Sequence, residues 1–158
     1  MLPSITMTGP ATPRWTHIAL PSADIDASIG WYERFTPLRV LATRADDVGR
    51  SVWLAHPGQV DNPFVLVLVM FFRNEGRREP MLTPFAHIGI EMPERVDVDR
   101  IAELGRIEGC LHWPAQEMPP PIGYICAVTD PDGNVIEISH GQGVYDTVQR
   151  VWGNTTVS

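Results

Sequence analysis

The feature that most constrains this chain of 158 residues is a short segment that occurs twice, 70 residues apart. The first copy is Thr16-His17-Ile18-Ala19-Leu20 and the second is Ala86-His87-Ile88-Gly89-Ile90. Each copy is followed by an acidic turn and then by a helical stretch, so the two halves share one layout. A chain that repeats in this way is expected to fold as two similar units.

The predicted elements follow the same order in both halves. Apolar residues at helical spacing predict helices over residues 22–35 and 94–107, with Ser22 as the N-cap of the first. Segments rich in β-branched and aromatic residues predict strands over 38–43, 51–55, 64–72, 110–113, 124–129 and 134–139. The order is therefore strand, helix and three strands, twice, which predicts an α+β fold of two tandem βαβββ modules.

Three stretches divide the chain. Residues 1–14 hold three prolines and are expected to form a loose tail. Residues 15–140 form one domain, with modules at about 15–72 and 85–140 joined by a short charged loop. Residues 141–158 form a C-terminal extension with apolar residues at near-helical spacing. This extension is expected to pack on the core, with covering the site or docking on a partner subunit as alternatives.

Composition excludes several kinds of partner. The formal net charge of −7 repels nucleic-acid backbones and anionic membranes, so neither is expected as a partner. The longest apolar run, residues 64–72, is too short to span a bilayer. Cys110 and Cys126 lack a CxxC spacing and lie among apolar strand residues, so they are expected to be buried thiols. That pattern suits the reducing cytoplasm.

Alternation along the strands predicts which side chains share a face of the sheet. His17 and His87 each lie opposite the aliphatic residues of their own strand. Glu137 likewise lies opposite Ile136 and Ile138 on the last predicted strand. If the aliphatic rows pack beneath the helices, the other face is concave and presents two imidazoles and one carboxylate.

This trio of side chains predicts a metal site. An ionised glutamate on an apolar sheet is costly unless it is paired, and a divalent cation provides that pairing while neutral imidazoles donate lone pairs. His17, His87 and Glu137 are therefore the predicted ligands of one divalent ion. Two histidines and one carboxylate leave coordination positions open and suit Fe, Mn, Zn or Ni.

The chain also resembles a known superfamily. His-Ile-Ala-Leu, Phe-Ala-His-Ile-Gly-Ile and Asp-Pro-Asp-Gly-Asn-Val-Ile-Glu-Ile are similar to motifs of the vicinal oxygen chelate superfamily. Its members include glyoxalase I, methylmalonyl-CoA epimerase, extradiol dioxygenases, and fosfomycin and bleomycin resistance proteins. The resemblance spans about residues 15–140 and implies paired βαβββ modules whose curved mixed sheets form a metal-binding cup.

The resemblance implies ligands on the first and last strands of each module. His17, His87 and Glu137 match three of these four positions, while Val67 stands at the fourth. Glu137 is then also a catalytic candidate. Tyr124 is a second one, because the dioxygenases of the superfamily need an acid–base pair; here His112 or His140 is the alternative partner for Tyr124.

Other large side chains are predicted to line a substrate pocket. They are Trp53, Phe85, Trp113 and Met118. The expected function is a metal-dependent enzyme, dioxygenase-like or lyase- or isomerase-like, that acts on a small oxygen-rich substrate chelating the ion. The alternative is a non-catalytic protein that binds a small molecule or an antibiotic, as bleomycin resistance proteins do. A homodimer is the expected assembly.

Overall fold

A computed structural model describes residues 10–153 of the chain. The elements in chain order are β1 (His17–Pro21), α1 (Ile25–Phe35), β2 (Arg39–Ala45), β3 (Gly49–Ala55), β4 (Val65–Phe71), a short 3-10 helix (Phe72–Asn74), β5 (His87–Glu91), α2 (Arg95–Glu108), β6 (Leu111–Met118), β7 (Gly123–Thr129), β8 (Val135–His140) and α3 (Val144–Trp152). The predicted α+β fold of two tandem βαβββ modules is confirmed.

Each module contains one four-stranded mixed sheet. The strand orders are β1-β4-β3-β2 and β5-β8-β7-β6. In each sheet the first strand pairs in parallel with the last strand of its module, and the other pairings are antiparallel. The first strand of each module is therefore an edge strand, and the histidine that begins it lies at the rim of its sheet.

The helices cover the aliphatic faces of the sheets. Leu66 and Leu68 of β4 and Ile136 and Ile138 of β8 are completely buried in one hydrophobic cluster that includes residues of both helices. These strand residues alternate with the side chains of the opposite face, as a period of two requires. The open faces of the two sheets are thus left to carry His17, His87 and Glu137.

The first helix begins at a different cap from the predicted one. Asp24 is the N-cap of α1, and its carboxylate accepts a hydrogen bond from the Ala27 N–H. Ser22, the predicted cap, is buried two residues earlier, where its hydroxyl bonds that of Ser28. Both residue types cap helices well, so composition alone did not decide between them.

A buried polar contact joins the two modules. The Tyr32 hydroxyl of α1 donates to Asp130 at 2.6 Å, and the Ala23 N–H donates to Asp132 at 2.8 Å. Both aspartates lie in the turn between β7 and β8 and are nearly inaccessible to solvent. The turn of the second module is therefore fixed against the helix of the first. Burial raises the pKa of Asp132, and the charge of Asp130 acts in the same direction.

The C-terminal extension departs from the expected core packing. It forms α3, and none of the residues of this helix is buried. One contact to the first module is a hydrogen bond from the Gln59 amide to the Tyr145 hydroxyl, at 3.0 Å. The extension is thus a surface helix because its apolar side chains stay largely exposed. Residues 1–9 of the predicted tail and 154–158 of the extension lie outside the described residues.

Cys110 and Cys126 are both free thiols; Cys126 is completely buried as expected, whereas Cys110 is only half-buried. Burial raises the pKa of Cys126 to about 12. Across residues 10–153, the helices are all too short or too polar to cross a membrane.

Candidate metal centre

His87 and Glu137 lie next to each other on the open face of the second sheet. The parallel register of β5 and β8 sets Gly89 beside Glu137, so the imidazole and the carboxylate lie on neighbouring strands. The distance from His87 Nε2 to Glu137 Oε2 is 3.5 Å. The glutamate is 5 % exposed, which makes it the buried acid that the sequence predicts.

The hydrogen bond at Nδ1 of His87 determines which ring nitrogen of the neutral imidazole carries the proton. His87 Nδ1 lies 2.6 Å from the backbone oxygen of Phe85, which only accepts, so Nδ1 carries the proton. In the neutral imidazole Nε2 then presents a lone pair. A backbone oxygen that holds the distal nitrogen in this way is the usual support of a metal-ligating histidine.

With a neutral imidazole, His87 Nε2 and Glu137 Oε2 present lone pairs to each other across 3.5 Å. A charge-assisted hydrogen bond brings nitrogen and oxygen to about 2.7–2.9 Å, so the separation is long for a shared proton. Nitrogen and oxygen ligands each lie about 2.0–2.2 Å from a zinc ion, and ligands of one ion are therefore about 3.0–3.5 Å apart. The His87–Glu137 pair fits two positions of one coordination sphere.

The second carboxylate oxygen of Glu137 also has a partner. Gln142 Nε2 donates a hydrogen bond to Glu137 Oε1 at 3.0 Å. Gly89 lies next to this oxygen. A Cβ atom at position 89 would be 3.8 Å from Oε1, which is ordinary van der Waals contact. The sequence did not single out Gln142, although its place between Gly141 and Gly143, just after the last strand, marks a tight turn beside Glu137.

Two of the four predicted pocket residues surround His87. The ring centroids of Phe85 and Trp113 lie 5.5 Å and 5.6 Å from that of His87, and 6.1 Å from each other. Trp53 lies instead on the first sheet. Met118 ends β6 and pairs with Gly123. Phe85 and Trp113 form an aromatic wall beside the candidate metal site.

His17 does not join the pair within this chain. It is exposed on the first sheet, where its Nδ1 lies 2.9 Å from the Thr16 hydroxyl and its ring stacks on Trp53 at 6.4 Å. Within residues 10–153, no group of three or more His, Cys, Asp and Glu side chains is arranged to hold a metal ion. The structure therefore brings together two members of the predicted trio, and the metal role of all three stays a prediction.

The catalytic prediction for Tyr124 needs correction. The register of β7 sets Ala127 opposite Glu137, so Tyr124, three residues away, points to the other face. There its hydroxyl donates to Asp99 of α2, and the guanidinium of Arg95 lies over its ring. Tyr124 is a helix-side residue that does not face the pair.

The two histidines proposed as partners of Tyr124 bond backbone carbonyls. His112 Nε2 lies 3.1 Å from the oxygen of Pro84, and His140 Nδ1 lies 3.1 Å from that of Met92. Tyr124 pairs with His140 across β7 and β8, but its hydroxyl donates to Asp99.

A cavity of about 970 Å³ lies next to residues that neighbour Glu137, while His87 and Glu137 themselves do not line it. Gly89 and Gln142, both next to Glu137, contribute to its wall. Phe64 of the first module and Tyr145 of α3 line it as well. Its volume is of the size that binds drug-sized ligands, so a small molecule has room next to Gly89 and Gln142, the neighbours of Glu137.

Comparison with known proteins gives one clear sequence relative. No family model matches the chain. The uncharacterized protein PA2024 of Pseudomonas aeruginosa is 36% identical over 131 residues, which cover 83% of this chain and 91% of the relative. Identity at this level over nearly the whole length shows that the two proteins share a family.

Solved structures agree on the fold. A glyoxylase/bleomycin resistance protein/dioxygenase domain from Frankia sp. EAN1pec matches with a TM-score of 0.63 and 22% identity, covering 83% of this chain and 99% of that one. The trypanothione-dependent glyoxalase I of Leishmania major matches with a TM-score of 0.62 and 22% identity, covering 88% and 94%. The chain therefore belongs to one family with PA2024, and it has the fold of these glyoxalase and bleomycin resistance structures.

Proposed function

We propose that this protein is a metal-dependent enzyme that acts on a small oxygen-rich substrate. The observation that carries the proposal is the 3.5 Å approach of His87 Nε2 to Glu137 Oε2, while the Phe85 oxygen holds a proton at the opposite ring nitrogen of His87. A buried carboxylate opposite the lone pair of a neutral imidazole is unfavourable unless a proton or a metal ion lies between them. A divalent ion satisfies both groups at once.

We infer that a second copy of the chain supplies the third ligand. His17 is exposed at the start of β1, and β1 and β5 each lie at one edge of their sheet. A two-fold dimer that lays β1 of one subunit beside β5 of the other brings His17 of the partner subunit to the His87–Glu137 pair. The same operation builds a second, identical site, as two-fold symmetry requires.

Three protein ligands leave positions for the substrate. When bound, the divalent ion supplies Lewis acidity toward two vicinal oxygens of the substrate. Glu137 and His87 hold the ion, while Phe85 and Trp113 pack against the apolar part of the ligand. Two reaction classes suit such a site, oxygen-dependent cleavage with Fe(II) and isomerase or lyase chemistry with Mn, Zn or Ni.

Metal binding by purified protein tests the proposal. Metal-free protein is reconstituted with Mn(II), Fe(II), Zn(II) or Ni(II), and bound metal is measured after removal of free ion. We expect about one ion per chain and a loss of at least about 100-fold in affinity in Glu137→Gln, which keeps the shape and removes the charge. Glu117→Gln is the matched control, because Glu117 pairs with Arg95 on the helix side. Wild-type protein that stays metal-free overturns the proposal.

Coexpression of two variants tests the contribution of the partner. His17→Ala and Glu137→Ala each damage every site of their own dimers. A mixed dimer of the two variants keeps one intact site if the ligands come from different subunits, so random pairing restores about one ion per four chains. If all three ligands come from one chain, mixing restores nothing.

A small-molecule binding protein is the second candidate. The observation that favours it is the exposure of aromatic rings on the open faces, 73% for Phe85 and 45% for Trp53. Such rings hold planar ligands without any metal. Ligand affinity that survives both metal removal and Glu137→Gln would favour this function over the enzyme.

A further inference from the structure

The segment between β8 and α3 contains a turn that serves Glu137. We propose that Gln142, at the centre of the Gly141-Gln142-Gly143 turn, is a positioning residue that orients the Glu137 carboxylate toward the metal. The proposal rests on the proposed function, because it assigns Gln142 a task at that same site. The turn is not part of either repeated module.

The side chain of Gln142 reaches the carboxylate directly. Its Nε2 donates to Glu137 Oε1 at 3.0 Å, while Oε2 is the oxygen that faces His87. An amide N–H cannot act as a metal ligand, so Gln142 occupies one oxygen and leaves the other for the ion. Fixing one oxygen also limits rotation of the carboxylate, which lowers the entropy lost when an ion binds.

The backbone of the turn is held by β5, the first strand of the second module. Glu91 Oε1 on β5 accepts hydrogen bonds from the Gln142 N–H at 3.0 Å and the Gly143 N–H at 3.4 Å. Gly141 and Gly143 have φ angles of 75° and 69°, in the left-handed region that favours glycine. Two glycines and one carboxylate thus fix the point from which the Gln142 side chain extends.

The same turn connects the site to the C-terminal helix. Gln142 lies two residues before α3, and Tyr145 of α3 accepts a hydrogen bond from Gln59 of the first module. Gln142 and Tyr145 both line the cavity beside Glu137. A ligand in the cavity therefore contacts the segment that orients the metal ligand.

Metal binding by Gln142→Met tests this role. Methionine has nearly the same length and volume but lacks the N–H donor. We expect an affinity for Co(II) about 10-fold weaker than that of the wild type and a changed visible absorption spectrum of the bound Co(II), since the spectrum reports ligand geometry. Gln149→Met on the exposed surface of α3 is the matched control and should match the wild type in both measurements.

A second variant keeps the test independent of the Gln142 side chain. Glu91→Gln retains the shape of the residue that holds the turn but weakens its acceptor, so it should give a smaller loss of Co(II) affinity in the same direction. Equal affinity and an unchanged spectrum in Gln142→Met, with the wild type binding metal, overturn the positioning role alone. A wild type that binds no metal overturns this role together with the proposed function.

Discussion

Val67 and Glu137 occupy equivalent positions in the two halves of the molecule. Val67 pairs with Ala19 on the first strand of its sheet, and Glu137 pairs with Gly89 on the first strand of the other. Both side chains project from the open face, and both are nearly buried. One half of the protein therefore carries a carboxylate where the other carries the two methyl groups of Val67. The proposed metal site accordingly has three protein ligands, and a carboxylate at position 67 would make a fourth.

Val67→Glu should supply the missing fourth ligand. Without metal, the new buried carboxylate is expected to destabilise the protein by about 3–5 kcal/mol, which lowers the melting temperature by roughly 10 °C. A bound divalent ion should restore most of the lost stability, because it neutralises the added charge in the assembled site. Thermal unfolding with and without the ion measures both effects.

Val69→Glu is the control for that experiment. Val69 lies two residues along β4 on the same face, paired with Pro21 instead of Ala19. A carboxylate there should destabilise the protein without any recovery on adding metal. Equal recovery in both variants would mean that the ion acts elsewhere.

Trp113 should report metal binding by its fluorescence. Its ring lies 5.6 Å from that of His87, and paramagnetic Co(II) or Ni(II) quenches a nearby indole strongly. We expect the ion to quench the emission of the wild type and to quench that of Trp113→Phe substantially less. The control is Trp31→Phe, in which a buried indole of α1 is lost, and it should keep the full effect. Undiminished quenching in Trp113→Phe would contradict an ion at His87.

The internal repeat explains why the fold was predictable. The offset that aligns His17 with His87 also aligns Val65 with Val135 across the parallel pairings. Alternation along these strands correctly assigned the aliphatic face to the core. The alternation of side chains is a local property of a strand, so the buried face can be predicted without knowing how the two sheets pack.

The candidate site was only partly predictable for the same reason. Parity within β8 and β5 gave the His87–Glu137 pair, because those strands are hydrogen-bonded neighbours. It could not place His17, which lies on a different sheet. Parity alone could not place Tyr124 either, because its face depends on the register of β7 against β8. The contact of Gln142 with Glu137 comes from a turn, where residues show no periodic pattern.

Asp132→Asn should change how stability depends on pH. Burial raises the pKa of Asp132 in the folded protein above its unfolded value of about 3.9. The folded state therefore binds the proton more tightly, and stability falls as pH rises from the unfolded pKa through the folded one. Asparagine still accepts the hydrogen bond from Ala23 and carries no charge, so this decline should disappear.

Urea unfolding at several pH values above 4 measures this effect. Asp47→Asn is the control, because Asp47 is exposed and its replacement should leave the pH dependence of the wild type in place. An unaltered slope in Asp132→Asn would mean that other groups cause the decline.

Tyr124→Phe should leave the site intact. The hydroxyl bonds Asp99 on the helix side, so its loss is expected to cost at most about 1 kcal/mol of stability. Metal affinity should stay within about twofold of the wild type, since Tyr124 acts on neither His87 nor Glu137. A loss of metal binding without loss of folding would restore Tyr124 to the site.

The most direct measurement is an anomalous-difference map from crystals grown with Co(II) or Zn(II). We predict a peak about 2.0–2.2 Å from both His87 Nε2 and Glu137 Oε2, with His17 of the partner subunit completing the ligands. An ion bound elsewhere, or no peak in crystals grown at saturating metal concentrations, would contradict a metal site at His87 and Glu137.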